Sequence, residues 1–178
     1  NHGDSPHAAE FNYPVIADDL AALIVDLGLQ DCVILGHSMG GKVGMELALT
    51  QPNLIERLLV VDIAPVSYPE QAEGHLRVIA GMKALPLESI ASRREAEEFL
   101  RDYIIDEPTR KFVLTNLQRR PEGGFRWRLN LAAIDASYVA LRVMPAHAGS
   151  FEKPTLFVKG AESAYIQSSH KEEILSLF

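Results

Sequence analysis

Between residues 14 and 27 the apolar positions Ile16, Leu20, Ile24 and Leu27 recur at helical spacing. Asp18 and Asp19 fall in the first turn and Gly28 just past the end, so the stretch predicts one amphipathic helix. Three residues later Cys32-Val33-Ile34-Leu35 is an apolar run of strand length that breaks at Gly36. From Met39 to about Gln51 the pattern is helical again and stops before Pro52. Gly41, Gly44 and Ala48 give that helix a smooth surface able to lie close on a sheet. The run Leu58-Leu59-Val60-Val61-Asp62 stays apolar until its last residue, as a central parallel strand covered on both faces would. Helix, strand, helix, strand predicts an α/β fold.

After Pro65 the character changes. No comparable strand appears before Ser150, but helical segments are predicted near 72–84, 93–105, 109–119 and 130–142. Ser92-Arg93-Arg94-Glu95 has the form of a capping box, and Pro108 suits a helix start. The run 154–160 returns to a buried strand ending in Gly160, and a last helix begins near Ser168. The predicted organisation is a core segment over 1–65, a helical insertion over 66–150 and a resumed core over 151–178.

At 178 residues and 47% hydrophobic, the chain can bury a core, which excludes disorder as a description of the whole. Seventeen Lys+Arg against 24 Asp+Glu give a net charge of -7 without runs of like charge, a poor match to nucleic acid. Cys32, the single cysteine, lies in an apolar run and reads as a small buried hydrophobe, which suits a reducing, cytoplasmic setting. No stretch reaches the roughly 18 apolar residues of a membrane span, and the polar start has no signal-peptide character. The first residue is not Met and the last lie in a predicted helix, so both ends are expected to be cuts in a longer product.

Gly36-His37-Ser38-Met39-Gly40 matches G-x-S-x-G, placed after a predicted strand and before a predicted helix, where the motif has mechanical meaning. The two glycines are expected to permit a sharp turn that holds the Ser38 oxygen out at the carboxyl edge of the sheet. The backbone N–H of Met39 then lies at a helix N-terminus as an oxyanion donor. A rival reading sees Gly36 to Val43 as an imperfect phosphate-binding loop of a nucleotidase, but Val43 stands where a Ser or Thr hydroxyl would hold Mg²⁺. A serine nucleophile needs a base oriented by an acid. Asp62, ending the next strand, is the candidate acid, with Glu162 in reserve. His37 adjoins Ser38 and is expected to line the substrate pocket. His170, His75 and His147 read as surface or structural residues, His2 and His7 belong to the opening loop, and the base is expected beyond Phe178.

These residues resemble the α/β-hydrolase superfamily, and within it the bacterial YbfF-type esterases and their eukaryotic α/β-hydrolase-domain relatives. The likeness is carried by Asn1-His2-Gly3-Asp4-Ser5-Pro6-His7, Gly36 to Lys42, Val61 to Pro65, Trp127 to Leu131 and Phe157 to Gly160. It implies an α/β-hydrolase fold, a mostly parallel sheet with an α-helical cap inserted between strands. It also implies an acid at Asp62 and hydrolysis of small carboxylic esters or thioesters through an acyl-enzyme, with no cofactor and no metal. The family's His-Gly-rich oxyanion loop upstream and its Gly-His segment downstream have no counterpart here, so the segment alone is expected to be inactive. Non-hydrolytic chemistry on the same fold, such as carbon–carbon bond cleavage, and a degenerate ligand receptor are the alternatives.

Overall fold

The structure, a computed structural model, describes residues 1–68, 72–144, 147 and 149–178. In chain order its regular elements begin with α1 (Tyr13–Asp26), β1 (Cys32–His37), α2 (Met39–Thr50) and β2 (Ile55–Val61). They continue with α3 (Ala72–Ala84), α4 (Arg93–Leu100), α5 (Glu107–Leu114), β3 (Leu117–Arg119), β4 (Phe125–Trp127) and α6 (Leu131–Arg142). The last are β5 (Thr155–Val158) and α7 (Lys171–Leu177). The chain divides into two compact units, one of Asn12–Ser67 with Val139–Phe178, the other of Asn1–Phe11 with Tyr68–Tyr138. Residues 1–11, expected with the first core segment, thus belong with the helical stretch.

The first unit is a parallel sheet in the order β1-β2-β5. Asn12 caps α1 by accepting from Val15 N–H at 3.0 Å, and Gly28, at φ 61°, ends it. The helix α2 lies close on the sheet because its glycines leave room. A Cβ at Gly44 would stand 3.0 Å from Leu58 Cδ1 and 3.2 Å from Ile34 Cγ2. On that face Leu58 and Val60 are fully buried. The other face departs from the expectation of full cover. Leu59 and Val61 are only half-buried, and Val33, Leu35, Leu156 and Val158 are exposed. Cys32, expected to be buried, is half-buried on the edge strand β1.

In the second unit Met82, Leu85, Leu100, Val113, Leu114, Leu117 and Phe125 belong to one apolar core. Ser92 caps α4 by accepting from Glu95 N–H, and Asp106 caps α5 from Thr109 N–H. The predicted helices over 93–105 and 109–119 both end early. Buried Arg110 donates to the carbonyls of Ile104 and Ile105, holding them in a loop, and Arg93 donates to those of Leu114 and Leu117. The antiparallel hairpin β3–β4 follows, an element the periodicity does not predict. The opening residues dock beside it: Gly3 N–H donates to Arg128 O at 2.8 Å and Asn130 N–H to Asn1 O at 2.9 Å.

Candidate active site

The turn from β1 into α2 is a strained elbow. Ser38 has φ 52° and ψ -117°, a sparsely populated positive-φ backbone that costs an L-residue on the order of 1–3 kcal/mol. Its N–H donates to Val61 O at 3.0 Å, and its carbonyl accepts from Gly41 N–H at 2.9 Å and Lys42 N–H at 3.2 Å. The hydroxyl makes no capping bond to the helix it heads. Met39, exposed as the first residue of α2, offers a backbone N–H that helix geometry leaves without an intrahelical acceptor.

Two glycines make this turn possible, and one differs from the expectation. A Cβ on Gly36 would lie 2.2 Å from Gly40 O and 2.5 Å from Gly40 C, so no side chain fits there. At Gly40 a Cβ would meet nothing within 4 Å. The second crowded position is Gly41, where a Cβ would fall 2.6 Å from Ile63 Cγ2.

Asp62 follows β2 as Ser38 follows β1, and its φ too is positive, at 57°. The register sets His37 beside Val61, so the next residues, Ser38 and Asp62, leave neighbouring strands side by side at the carboxyl edge. Asp62 N–H donates to Val158 O at 2.8 Å, and Gly160 N–H donates to Asp62 Oδ1 at 3.1 Å. The turn after β5 thus orients the carboxylate. Glu162 lies in that turn and is exposed. Burial, and then the Asp62 charge, raise the Tyr165 phenol above its ordinary value.

His37 is exposed at the end of β1. His147 Nε2 stands 3.0 Å from the buried Glu46 Oε2, His75 Nδ1 3.1 Å from the Tyr138 hydroxyl, and His170 Nδ1 accepts from Gln167 N–H at 3.3 Å. Among the described residues none of these hydrogen bonds reaches Ser38 or Asp62.

Lys42, which a phosphate-binding loop would hold out to its ligand, is 2% exposed and turned inward. Its ammonium donates to Val66 O at 2.9 Å and Arg142 O at 3.2 Å and lies 5.5 Å from the centre of the Tyr13 ring. A lysine spent on internal carbonyls cannot cradle a nucleotide, so the rival reading loses its second ligand as well as its first. Among the described residues no helix is long and apolar enough to cross a membrane.

Residues 1–172 match the family described as "Alpha/beta hydrolase family". The chain is 42% identical over 183 residues to the sn-1-specific diacylglycerol lipase ABHD11 of Mus musculus, covering 100% of this chain and 59% of the relative. It is 29% identical over 181 residues to Esterase YbfF of Escherichia coli (strain K12), covering 100% of this chain and 67% of the relative. A solved structure titled "Marine microorganism esterase" superposes with a TM-score of 0.95 at 32% identity, covering 99% of this chain and 69% of that one. The chain therefore spans less than two thirds of the length of the diacylglycerol lipase relatives, 57% for that of Danio rerio.

Proposed function

The chain belongs to the alpha/beta hydrolase family, and from that premise we propose that it carries the nucleophile and acid of a serine hydrolase acting on carboxylic esters. The observation that carries the reading is the pairing of Ser38 and Asp62. They are neighbours at the carboxyl ends of two parallel strands, each at a positive φ that L-residues seldom adopt, and ligands of open α/β sheets collect at that edge.

In this mechanism Ser38 Oγ attacks the acyl carbonyl while an imidazole takes its proton. Asp62 holds that imidazole in the tautomer whose free nitrogen faces the serine and stabilises the imidazolium formed. The Met39 N–H faces the developing oxyanion, a donor worth about 3 kcal/mol of transition-state stabilisation. The imidazolium returns the proton to the departing alkoxide, leaving an acyl-enzyme that water then cleaves by the same steps. No cofactor or metal enters the scheme. His37, exposed beside the elbow, is proposed to line the acyl site, and the helical unit to serve as the family's cap.

The substrate class follows the relatives' names, esterase and diacylglycerol lipase, so small and lipid esters come first and thioesters second. On a p-nitrophenyl ester, Ser38→Ala in the whole protein is expected to cost on the order of 10⁴-fold or more in kcat with the fold intact. Retention of activity within about tenfold would overturn the assignment.

A further inference from the structure

We propose that Lys42 is a positioning residue that locks Ser38 and Asp62 into one relative placement, an inference that rests on the serine hydrolase reading above. Lys42 lies four residues after Ser38 in the first turns of α2, and its backbone N–H donates to Ser38 O. Its side chain reaches the other candidate residue's chain, donating to Val66 O four residues past Asp62. One residue thus bonds to the strand exits of both functional positions.

The chain between Asp62 and Val66 is built to transmit that hold. Ile63, Ala64 and Pro65 are buried, and Ile63 packs where a Cβ on Gly41 would stand. Before the strained Asp62 backbone, Val158 O accepts its N–H; four residues after it, the Lys42 ammonium of α2 holds Val66 O. A left-handed non-glycine residue persists only where its surroundings over-determine it, and these two anchors bracket Asp62.

Lysine is almost never fully buried, and here the site supplies what the charge needs. Two carbonyls accept from it, one of them Arg142 O at the C-terminus of α6, where a cation is favoured, and the Tyr13 ring faces it. The Tyr13 hydroxyl donates to the adjacent Leu141 O at 2.7 Å. Burial pushes the Lys42 ammonium down to about 8, so it remains largely protonated at pH 7. A methionine would fill the same volume and give those carbonyls no donor.

The test is a double-mutant cycle in the whole protein, read at a temperature well below unfolding and normalised to folded protein. Lys42→Met is expected to lower kcat about tenfold with KM within about twofold, and to slow labelling of Ser38 by a fluorophosphonate in parallel, as a misplaced catalytic pair would. In an Asp62→Asn background the same substitution is expected to cost less than about twofold, because the residue through which Lys42 acts is already disabled. Unchanged kcat in Lys42→Met, or an equal loss in both backgrounds, would overturn the proposal. If Lys42→Met does not fold, Lys42→Gln, which keeps one amide donor, replaces it and the same ratio decides. Activity surviving Ser38→Ala would instead defeat the hydrolase reading, so the two failures are distinct.

Discussion

Gly36→Ala and Gly40→Ala change the two glycines of the same motif, and the structure predicts opposite outcomes for them. At Gly36 the new methyl would stand 2.2 Å from Gly40 O, 2.5 Å from Gly40 C and 2.6 Å from Gly41 N, all backbone atoms of the first turn of α2. Ordinary contact begins near 3.4 Å, so the helix start must move by roughly 1 Å relative to β1, and no side-chain rotation can relieve it. Overpacking of this kind costs about 1–3 kcal/mol. The same movement displaces Ser38, whose carbonyl is bonded to Gly41 and Lys42, and a 1 Å misplacement costs on the order of 10²-fold in rate. At Gly40 a methyl meets nothing within 4 Å, and the residue lies inside α2, where Ala is favoured over Gly by up to about 1 kcal/mol. Urea unfolding with kcat/KM on a p-nitrophenyl ester, measured on both variants of the whole protein, checks the pair. Gly36→Ala is expected to lose stability and about two orders of magnitude of activity, while Gly40→Ala keeps its activity and gains slightly in stability. An active, stable Gly36→Ala, or a Gly40→Ala as damaged as its partner, would refute the reasoning.

Asp62→Asn is expected to lower kcat far more than Glu162→Gln, since Asp62 is held at the elbow by Gly160 while Glu162 is exposed; steady-state kinetics on both variants decides, and the reverse ranking would move the acid to the later turn. Because Lys42 titrates at about 8 in the folded chain and near 10.5 unfolded, the unfolded chain binds more protons between those values and stability rises with pH across that window. Urea unfolding at pH 7.5 and 9.5 should show a gain of about 1–2 kcal/mol from this group. The gain should vanish in Lys42→Met, and keeping below pH 10 leaves out Tyr13, whose phenol burial raises.

Much of this architecture can be read from the spacing of apolar residues. The helices α1, α2, α3 and α6 fall within a few residues of their predicted spans because helical spacing of apolar residues marks them, and the strands β2 and β5 do so because each is a short continuous apolar run. The elbow is legible because a strand, Gly36, a serine and a helix start stand in the order its geometry requires. Other features depend on contacts distant in sequence. Where α5 ends, Arg93 holds the carbonyls of Leu114 and Leu117 from 21 and 24 residues away, and Arg110 holds the nearer carbonyls of Ile104 and Ile105 after α4; apolar spacing records neither. The strands β3 and β4 have three residues each, too few for alternation to register. Which glycines are obligatory depends on how closely α2 approaches Ile63 and Val60, so Gly41 and not Gly40 proves the crowded one. The burial of Lys42 escapes a sequence reading because lysine is ordinarily a surface residue, and nothing in the local pattern distinguishes it or the equally buried Glu46 from solvent-facing charges. The orienting role of Gly160 appears only once β5 is paired beside β2.

The claim that Ser38 is an activated nucleophile is tested most directly by reacting the active whole protein with a fluorophosphonate and locating the adduct by peptide mass spectrometry. One equivalent on the peptide carrying Ser38, with hydrolysis lost in proportion to labelling and no adduct in Ser38→Ala, is the predicted result. Stoichiometric labelling at another residue, or full hydrolytic activity in protein whose Ser38 is labelled, would contradict it.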